Sequence, residues 1–150
     1  MKFTLGIDPG MSGAMAIVSE TGEAFSLAFA KTTPHDIVAY LGQYEITKAY
    51  IEGLNAMPGL FRGVVSTFKL GTNYGLWQGI LTALSIPFER VYPLKWQTAM
   101  GCRTGGNKNV SKAKAQELFP AIKVTHAIAD ALLIAEYGRR QERKIISQDL

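Results

Sequence analysis

The chain has 150 residues, of which 47% are hydrophobic, and a formal net charge of +4. This length and composition predict one globular domain with its own core, and no apolar stretch approaches the ~20 residues that a membrane-spanning helix needs. The N-terminus lacks the basic leader and apolar core of a signal peptide. Cys102 is the single cysteine, which excludes an intrachain disulfide and a cysteine-based zinc cluster, so we expect a reducing, intracellular setting.

Charge is distributed unevenly along the chain. The first 60 residues carry three basic and six acidic side chains (net −3), and the remaining 90 carry thirteen basic and six acidic side chains (net +7). Basic residues interleaved with aromatic ones are typical of nucleic-acid binding. The alternative is a solvated basic surface over ordinary core aromatics, and composition alone favours neither.

Alternating apolar residues and turn signals predict three strands at the start of the chain, over residues 3–8, 13–19 and 23–29. A helix is predicted to start at Pro34, after Thr33, with helical spacing over 36–44. A fourth strand spans 47–52, and residues 53–62 are predicted to be a loop. Next come a long helix over 63–85, a strand over 87–92, a helix over 93–100, a basic loop over 101–109 and a helix over 110–119. The last helix is predicted to run from an N-cap at Thr125 to about Arg140, with a frayed polar tail from Gln141. This order indicates a mixed sheet flanked by helices.

Three carboxylates stand at the ends of predicted elements. Asp8 and Glu52 each end an apolar strand, and Asp130 opens an apolar stretch of the last helix. Taken singly, they could be a turn residue, a solvated strand end and an exposed helix residue. An acid at the end of a buried strand is unfavourable unless it is neutralised, and converging acids repel one another. The combination therefore favours a shared site for Mg²⁺ or Mn²⁺, which prefer oxygen ligands.

Five short motifs point to a known family: G-I-D-P-G at 6–10, S-G at 12–13, Y-I-E at 50–52, F-K-L-G at 68–71 and A-D-A-L-L-I-A at 129–135. With these motifs, residues 3–140 resemble the RuvC-type Holliday junction resolvases of the RNase H-like superfamily, in the form encoded by phages. The resemblance implies an α/β fold, a single RNase H-like nuclease domain over residues 1–150. Its five-stranded mixed β-sheet, flanked by α-helices, would have three antiparallel strands first.

The resemblance also implies an activity, that of a crossover junction endodeoxyribonuclease. Such an enzyme resolves Holliday junctions and other branched DNA by paired nicks that leave 5′-phosphate and 3′-hydroxyl ends. It would use two Mg²⁺ or Mn²⁺ ions per active site, held by Asp8, Glu52 and Asp130, to activate water and stabilise the departing oxygen. His126 lies one helical turn before Asp130, where relatives often carry a fourth acid, and is expected to contact metal or move a proton. The alternative for His126 is a structural hydrogen bond at the helix start.

DNA contacts are expected from segments that face DNA in this family, namely Lys69, Arg103, Lys108, Lys112 and Lys114, with Lys108 and Lys112 favoured as phosphate contacts. One apolar residue of the loop 53–62 is expected to wedge between bases at the crossover; the candidates are Leu54, Met57, Leu60 and Phe61. Trp77 and Trp96 are predicted to be core or interface residues.

We also expect a homodimer, because a two-fold dimer matches the symmetry of a four-way junction. The helix 63–85 carries Gly71, Gly75 and Gly79 at four-residue spacing, a flat face suited to close approach of a partner helix. The resemblance implies the cytoplasm of a bacterial or phage-infected cell and no membrane association.

Three other functions stay open. An RNA-processing nuclease of the YqgF type would use the same chemistry on another substrate. A non-catalytic junction-binding protein is disfavoured by the presence of all three acids. An ATP-binding domain of the actin-like and sugar-kinase type shares the first hairpin, but it needs a second domain for which 150 residues leave no space.

Overall fold

The structure is a computed structural model that describes residues 1–53 and 63–149. The strands are β1 (Lys2–Asp8), β2 (Ala14–Ser19), β3 (Ala24–Ala28), β4 (Glu45–Glu52) and β5 (Phe88–Val91). The helices are α1 (Pro34–Leu41), α2 (Val64–Ala83), α3 (Pro93–Ala99), α4 (Lys108–Leu118) and α5 (His126–Gln148). In the part of the chain so described, no helix is long and apolar enough to span a bilayer.

The strands form one sheet in the order β3-β2-β1-β4-β5. β2 pairs antiparallel with both β1 and β3, whereas β4 runs parallel to β1 and β5. This confirms the predicted five-stranded mixed sheet with its antiparallel first three strands. Ile7 pairs with Ile51, so Asp8 and Glu52 end two neighbouring parallel strands at the same edge.

Each face of the sheet carries its own core, as the two-residue period of a strand requires. Phe3, Leu5 and Ile7 of β1 pack with buried residues of α1 and α2. The opposite face packs against α5, whose residues Ala131–Ala135 are fully buried in a second core. The even-numbered residues of β1, which include Asp8, therefore face α5.

Two glycines let α5 lie directly on the sheet. A methyl group on Gly6 would overlap the backbone of Ala131 and Ala135, and one on Gly138 would overlap the ring of Tyr50 and the side chain of Thr4. Gly138, late in α5, thus contacts Thr4, early in β1, whereas Ala131, early in α5, contacts Gly6, later in β1. The two elements are therefore antiparallel, and the start of α5, which carries Asp130, lies at the end of β1, which carries Asp8.

The prediction of a frayed tail from Gln141 is wrong. The helix α5 continues to Gln148, because Glu142 anchors it to β4. The Glu142 carboxylate lies 3.1 Å from Lys48 Nζ and accepts a hydrogen bond from the Tyr50 hydroxyl at 2.5 Å. Thr125 occupies the N-cap position of α5, as predicted, but its side chain makes no capping bond.

Smaller differences lie at other helix starts. α4 begins at Lys108, two residues earlier than predicted, because the Asn107 side chain accepts a bond from Asn109 N and caps it. α1 begins at Pro34 after Thr33, as predicted, and Thr33 and Asp36 form a reciprocal capping box there. The predicted wedge residues of the loop 53–62 (Leu54, Met57, Leu60 and Phe61) lie outside the described residues.

Candidate active site

The three predicted acids lie close enough to influence one another. Asp8 ends β1, Glu52 ends β4, and Asp130 lies in α5, and all three side chains are partly buried. Burial raises the pKa of Asp8, and the charge of Asp130 adds to that rise. The pKa of Asp130 is raised mainly by burial as well.

Asp8 has a second role in the turn that follows it. Its Oδ1 accepts a hydrogen bond from Gly10 N at 3.3 Å, and Gly13 N donates to Gly10 O at 2.9 Å. On the other side of the turn, the Asn73 side-chain amide of α2 donates to the Pro9 carbonyl. The turn that follows β1 therefore fixes the Asp8 carboxylate. Asp8 can be both a turn residue and a member of a shared site, so the two predictions for it are compatible.

Glu52 is the most perturbed of the three acids. Burial, followed by the negative charge of Asp8, raises its pKa to about 7. The Trp96 indole Nε1 donates a hydrogen bond to Glu52 Oε2 at 2.8 Å, which opposes that rise in pKa. Near neutral pH, the metal-free protein therefore holds Glu52 partly protonated.

Among the residues that the structure describes, Lys108 is the cation whose charge acts on all three acids. It lies at the first position of α4, and its charge lowers the pKa of Asp8, Glu52 and Asp130 against the larger effect of burial. The buried Ser111, one turn later, also lowers the pKa of Asp130 by hydrogen bonding. The start of α4 thus faces the acids.

The donor chemistry of this cluster fits a hard divalent cation. Three carboxylates supply only oxygen ligands, and their burial and mutual repulsion are relieved by positive charge. Among residues 1–53 and 63–149, however, no three His, Cys, Asp or Glu side chains already converge tightly enough to form a metal site.

His126 is the first residue of α5, and its side chain is exposed. Its Nε2 lies 2.8 Å from Asn109 Oδ1 on α4. This is the type of contact that the structural interpretation of His126 expects. Asp130 lies four residues later, so both side chains project from the same side of the helix.

The predicted DNA-contacting residues fall on two segments. Arg103 is exposed in the loop before α4, and Lys108, Lys112 and Lys114 follow along α4. Lys114 Nζ lies 3.1 Å from Glu117, so part of its charge is already compensated. Lys69 lies apart from them on α2, in a groove beside Pro9 and Met11 at the turn after Asp8.

The outer face of α2 is not packed around its glycines by any residue that the structure describes. A methyl group on Gly71, Gly75 or Gly79 would meet none of the described residues within 4 Å. Val64, Val65 and Phe68 on the same helix are 68–87% exposed. Trp77 is buried against the sheet instead, as predicted for a core residue.

Sequence reasoning missed the residues that hold the acids in place. Trp96 was assigned to the core or an interface; it is fully buried, but its indole also reaches Glu52. Ser111 beside Asp130 and Asn73 beside Pro9 were not singled out. No local pattern marks such contacts, because the partners are 44 residues apart for Trp96 and 64 for Asn73.

The fold of the chain matches that of known structures. Thermus thermophilus RuvC in complex with a Holliday junction substrate superposes with a TM-score of 0.70 at 15% sequence identity, covering 96% of both chains. The fold is that of RuvC. A second Thermus thermophilus RuvC structure gives the same TM-score and identity over 95% of this chain and 96% of that chain. The predicted likeness to RuvC is thus confirmed for the fold, whereas no protein-family model and no curated protein matches the sequence.

Proposed function

We propose that this chain is a metal-dependent endonuclease that resolves four-way DNA junctions. The observation that carries the proposal is the cluster of Asp8, Glu52 and Asp130. These acids come from two adjacent parallel strands and the helix that crosses them, and burial raises the pKa of each. Three buried carboxylates that repel one another destabilise the fold, and such clusters of perturbed acids are typical of functional sites.

In this proposal, Asp8, Glu52 and Asp130 hold two divalent cations, Mg²⁺ or Mn²⁺. When bound, the ions supply a water of lowered pKa and positive charge at the departing oxygen. Water adds to phosphorus, the bond from phosphorus to the 3′ oxygen breaks, and the products are a 5′-phosphate and a 3′-hydroxyl. His126 is proposed as a further ligand or as the carrier of a proton to or from the reacting phosphate.

The chain's own cations are proposed to bind the DNA backbone. Lys108 faces the acids, which suits a contact to the phosphate beside the one that is cut. Arg103, Lys112 and Lys114 extend the positive surface along the same segment, and Lys69 does so from α2. Such contacts are independent of base sequence, so junction shape would dominate recognition.

A homodimer through α2 completes the proposal. The open glycine face and the exposed Val64, Val65 and Phe68 support a partner helix at this surface. A two-fold dimer would present one site to each of two opposite strands, which gives paired nicks.

The test is a comparison of labelled substrates: a four-way junction, a linear duplex, a single strand and a structured RNA, each with Mg²⁺ or with EDTA. We expect nicking of the junction with Mg²⁺ and none with EDTA. Preferential cleavage of the RNA would favour the RNA-processing alternative. Junction binding without cleavage under any metal would favour a non-catalytic binding protein.

A further inference from the structure

The buried side chain of Trp96 contacts Glu52, one of the proposed metal ligands. Trp96 lies in α3 with a fully buried side chain, packed in the same core as Val91, Met100 and Cys102. Its Nε1 donates to Glu52 Oε2 at 2.8 Å. Among the described residues, no other side chain donates a hydrogen bond to this carboxylate.

We propose that Trp96 is a positioning residue for the metal site: its indole N–H fixes Glu52 Oε2, so that Oε1 is presented as the ligand atom. The inference rests on the proposed metal-dependent function. Outer hydrogen bonds to a ligating carboxylate orient it and tune its affinity for metal. An indole suits this role because it can only donate, so it holds the carboxylate in one orientation without neutralising its charge.

The local fold makes this donor rigid. Pro93 starts α3 directly after β5, and Glu52 pairs with Val91 in the sheet, so α3 begins beside the end of β4. The Trp96 ring is locked by the core around it, whereas a surface donor would lose conformational freedom each time it held the carboxylate. Glu52 is thus constrained before any cation binds.

The positioning role must be separated from a purely structural one, because any buried indole N–H needs a hydrogen-bond acceptor, whether or not a metal binds nearby. Trp77 provides the matched control. It is 1% exposed, lies in α2 on the other face of the sheet, and packs against Phe29 with ring centroids 5.1 Å apart. Trp96→Phe and Trp77→Phe remove the same indole volume, but only the first removes a bond to Glu52.

The experiment measures the rise in melting temperature that Mg²⁺ produces in the full chain without DNA, which reports the Mg²⁺ affinity. We expect Trp96→Phe to weaken Mg²⁺ affinity roughly 10- to 100-fold, and Trp77→Phe to keep the wild-type affinity even where its own melting temperature falls. Equal Mg²⁺ affinity in Trp96→Phe and wild type would overturn the positioning role of Trp96 and leave the proposed metal site standing. A wild-type protein that Mg²⁺ does not stabilise would overturn the metal site and the inference together.

A spectroscopic measurement covers the case in which Trp96→Phe does not fold. In Trp77→Phe, Trp96 is the single tryptophan, so its emission reports on the indole beside Glu52. We expect Mg²⁺ to change that emission with the same midpoint as the thermal titration, and Glu52→Gln to abolish the change. Emission that stays constant while Mg²⁺ raises the melting temperature would overturn the inference.

Discussion

Removing the charge of Glu52 should stabilise the metal-free protein, increasingly as the pH rises from about 4.5 to about 7. The folded pKa of about 7 lies above the ordinary value of 4.5. Between these values the folded state binds more protons than the unfolded state, so stability falls as the pH rises through this window. The decrease is complete only well above pH 7, where the carboxylate is ionised in both states.

The size of the effect follows from the difference between the two pKa values. One pKa unit corresponds to about 1.36 kcal/mol, so ionising Glu52 in the folded protein costs on the order of 3 kcal/mol. For a domain of this size, 1 kcal/mol shifts the melting temperature by about 2–4 °C. Glu52→Gln keeps the shape of the side chain and an oxygen that can accept from Trp96. In EDTA it should melt close to wild type at pH 5 and roughly 6–12 °C above wild type at pH 8.5.

The assay is thermal unfolding of both proteins in EDTA at half-unit pH steps from 4.5 to 8.5. Glu45 lies at the exposed, opposite end of β4, so Glu45→Gln is the matched control and should follow the wild-type profile. Mg²⁺ at pH 8.5 should raise the melting temperature of wild type much more than that of Glu52→Gln. Parallel profiles for wild type and Glu52→Gln across the whole range would refute the reasoning.

Three further predictions concern the partner surface, the histidine and the lysine beside the acids. Gly75→Leu should weaken dimerisation, measured by sedimentation, and uncouple the two nicks, since the Cβ it adds meets no described residue of its own chain within 4 Å. His126→Ala should slow single-turnover cleavage at least ~10²-fold with little change in junction binding, the low end for an acid–base group. Lys108→Ala should weaken junction binding and lower the slope of log affinity against log salt by about one, as expected for one lost phosphate contact.

Each of these has a control. Gln148→Leu places the same leucine side chain at the exposed end of α5 and should leave the oligomeric state unchanged. A monomeric wild type that still resolves junctions would contradict the dimer. Asn109→Ala breaks the same hydrogen bond as His126→Ala, so equal melting and normal cleavage in both would assign His126 a structural role. Lys123→Ala, at an exposed position before α5, should keep the wild-type salt slope, and an unchanged slope in Lys108→Ala would remove that contact.

The local sequence pattern was enough to predict the strands of the sheet and the positions of Asp8, Glu52 and Asp130 within their elements. The apolar runs of β1 and β4 each end in an acid, so Asp8 and Glu52 could be assigned to strand ends. Parallel pairing of these two strands then brings the acids to the same edge of the sheet. The extent of α5 could not be predicted this way. The residues of α5 from Gln141 onward are mostly polar and exposed, and Glu142 anchors them to Lys48 and Tyr50, more than 90 residues away.

The contacts that orient the site escaped prediction for the same reason. A tryptophan within an apolar helix is ordinarily a core residue, and Trp96 is one; its second role exists only because α3 starts beside the end of β4. Asn109 and Ser111 belong to α4, which reaches the acids through its packing on α5.

Single-turnover cleavage of a four-way junction tests the central claim most directly, with wild type, Asp8→Asn and Asp130→Asn compared at equal junction occupancy in Mg²⁺. Both substitutions keep the size of the side chain and remove its charge, and Asp8→Asn retains an oxygen for the Gly10 N–H. We predict paired nicks from wild type and none from either variant, with binding largely intact. Nicking at the wild-type rate by either variant, or no nicking by wild type, would contradict the account.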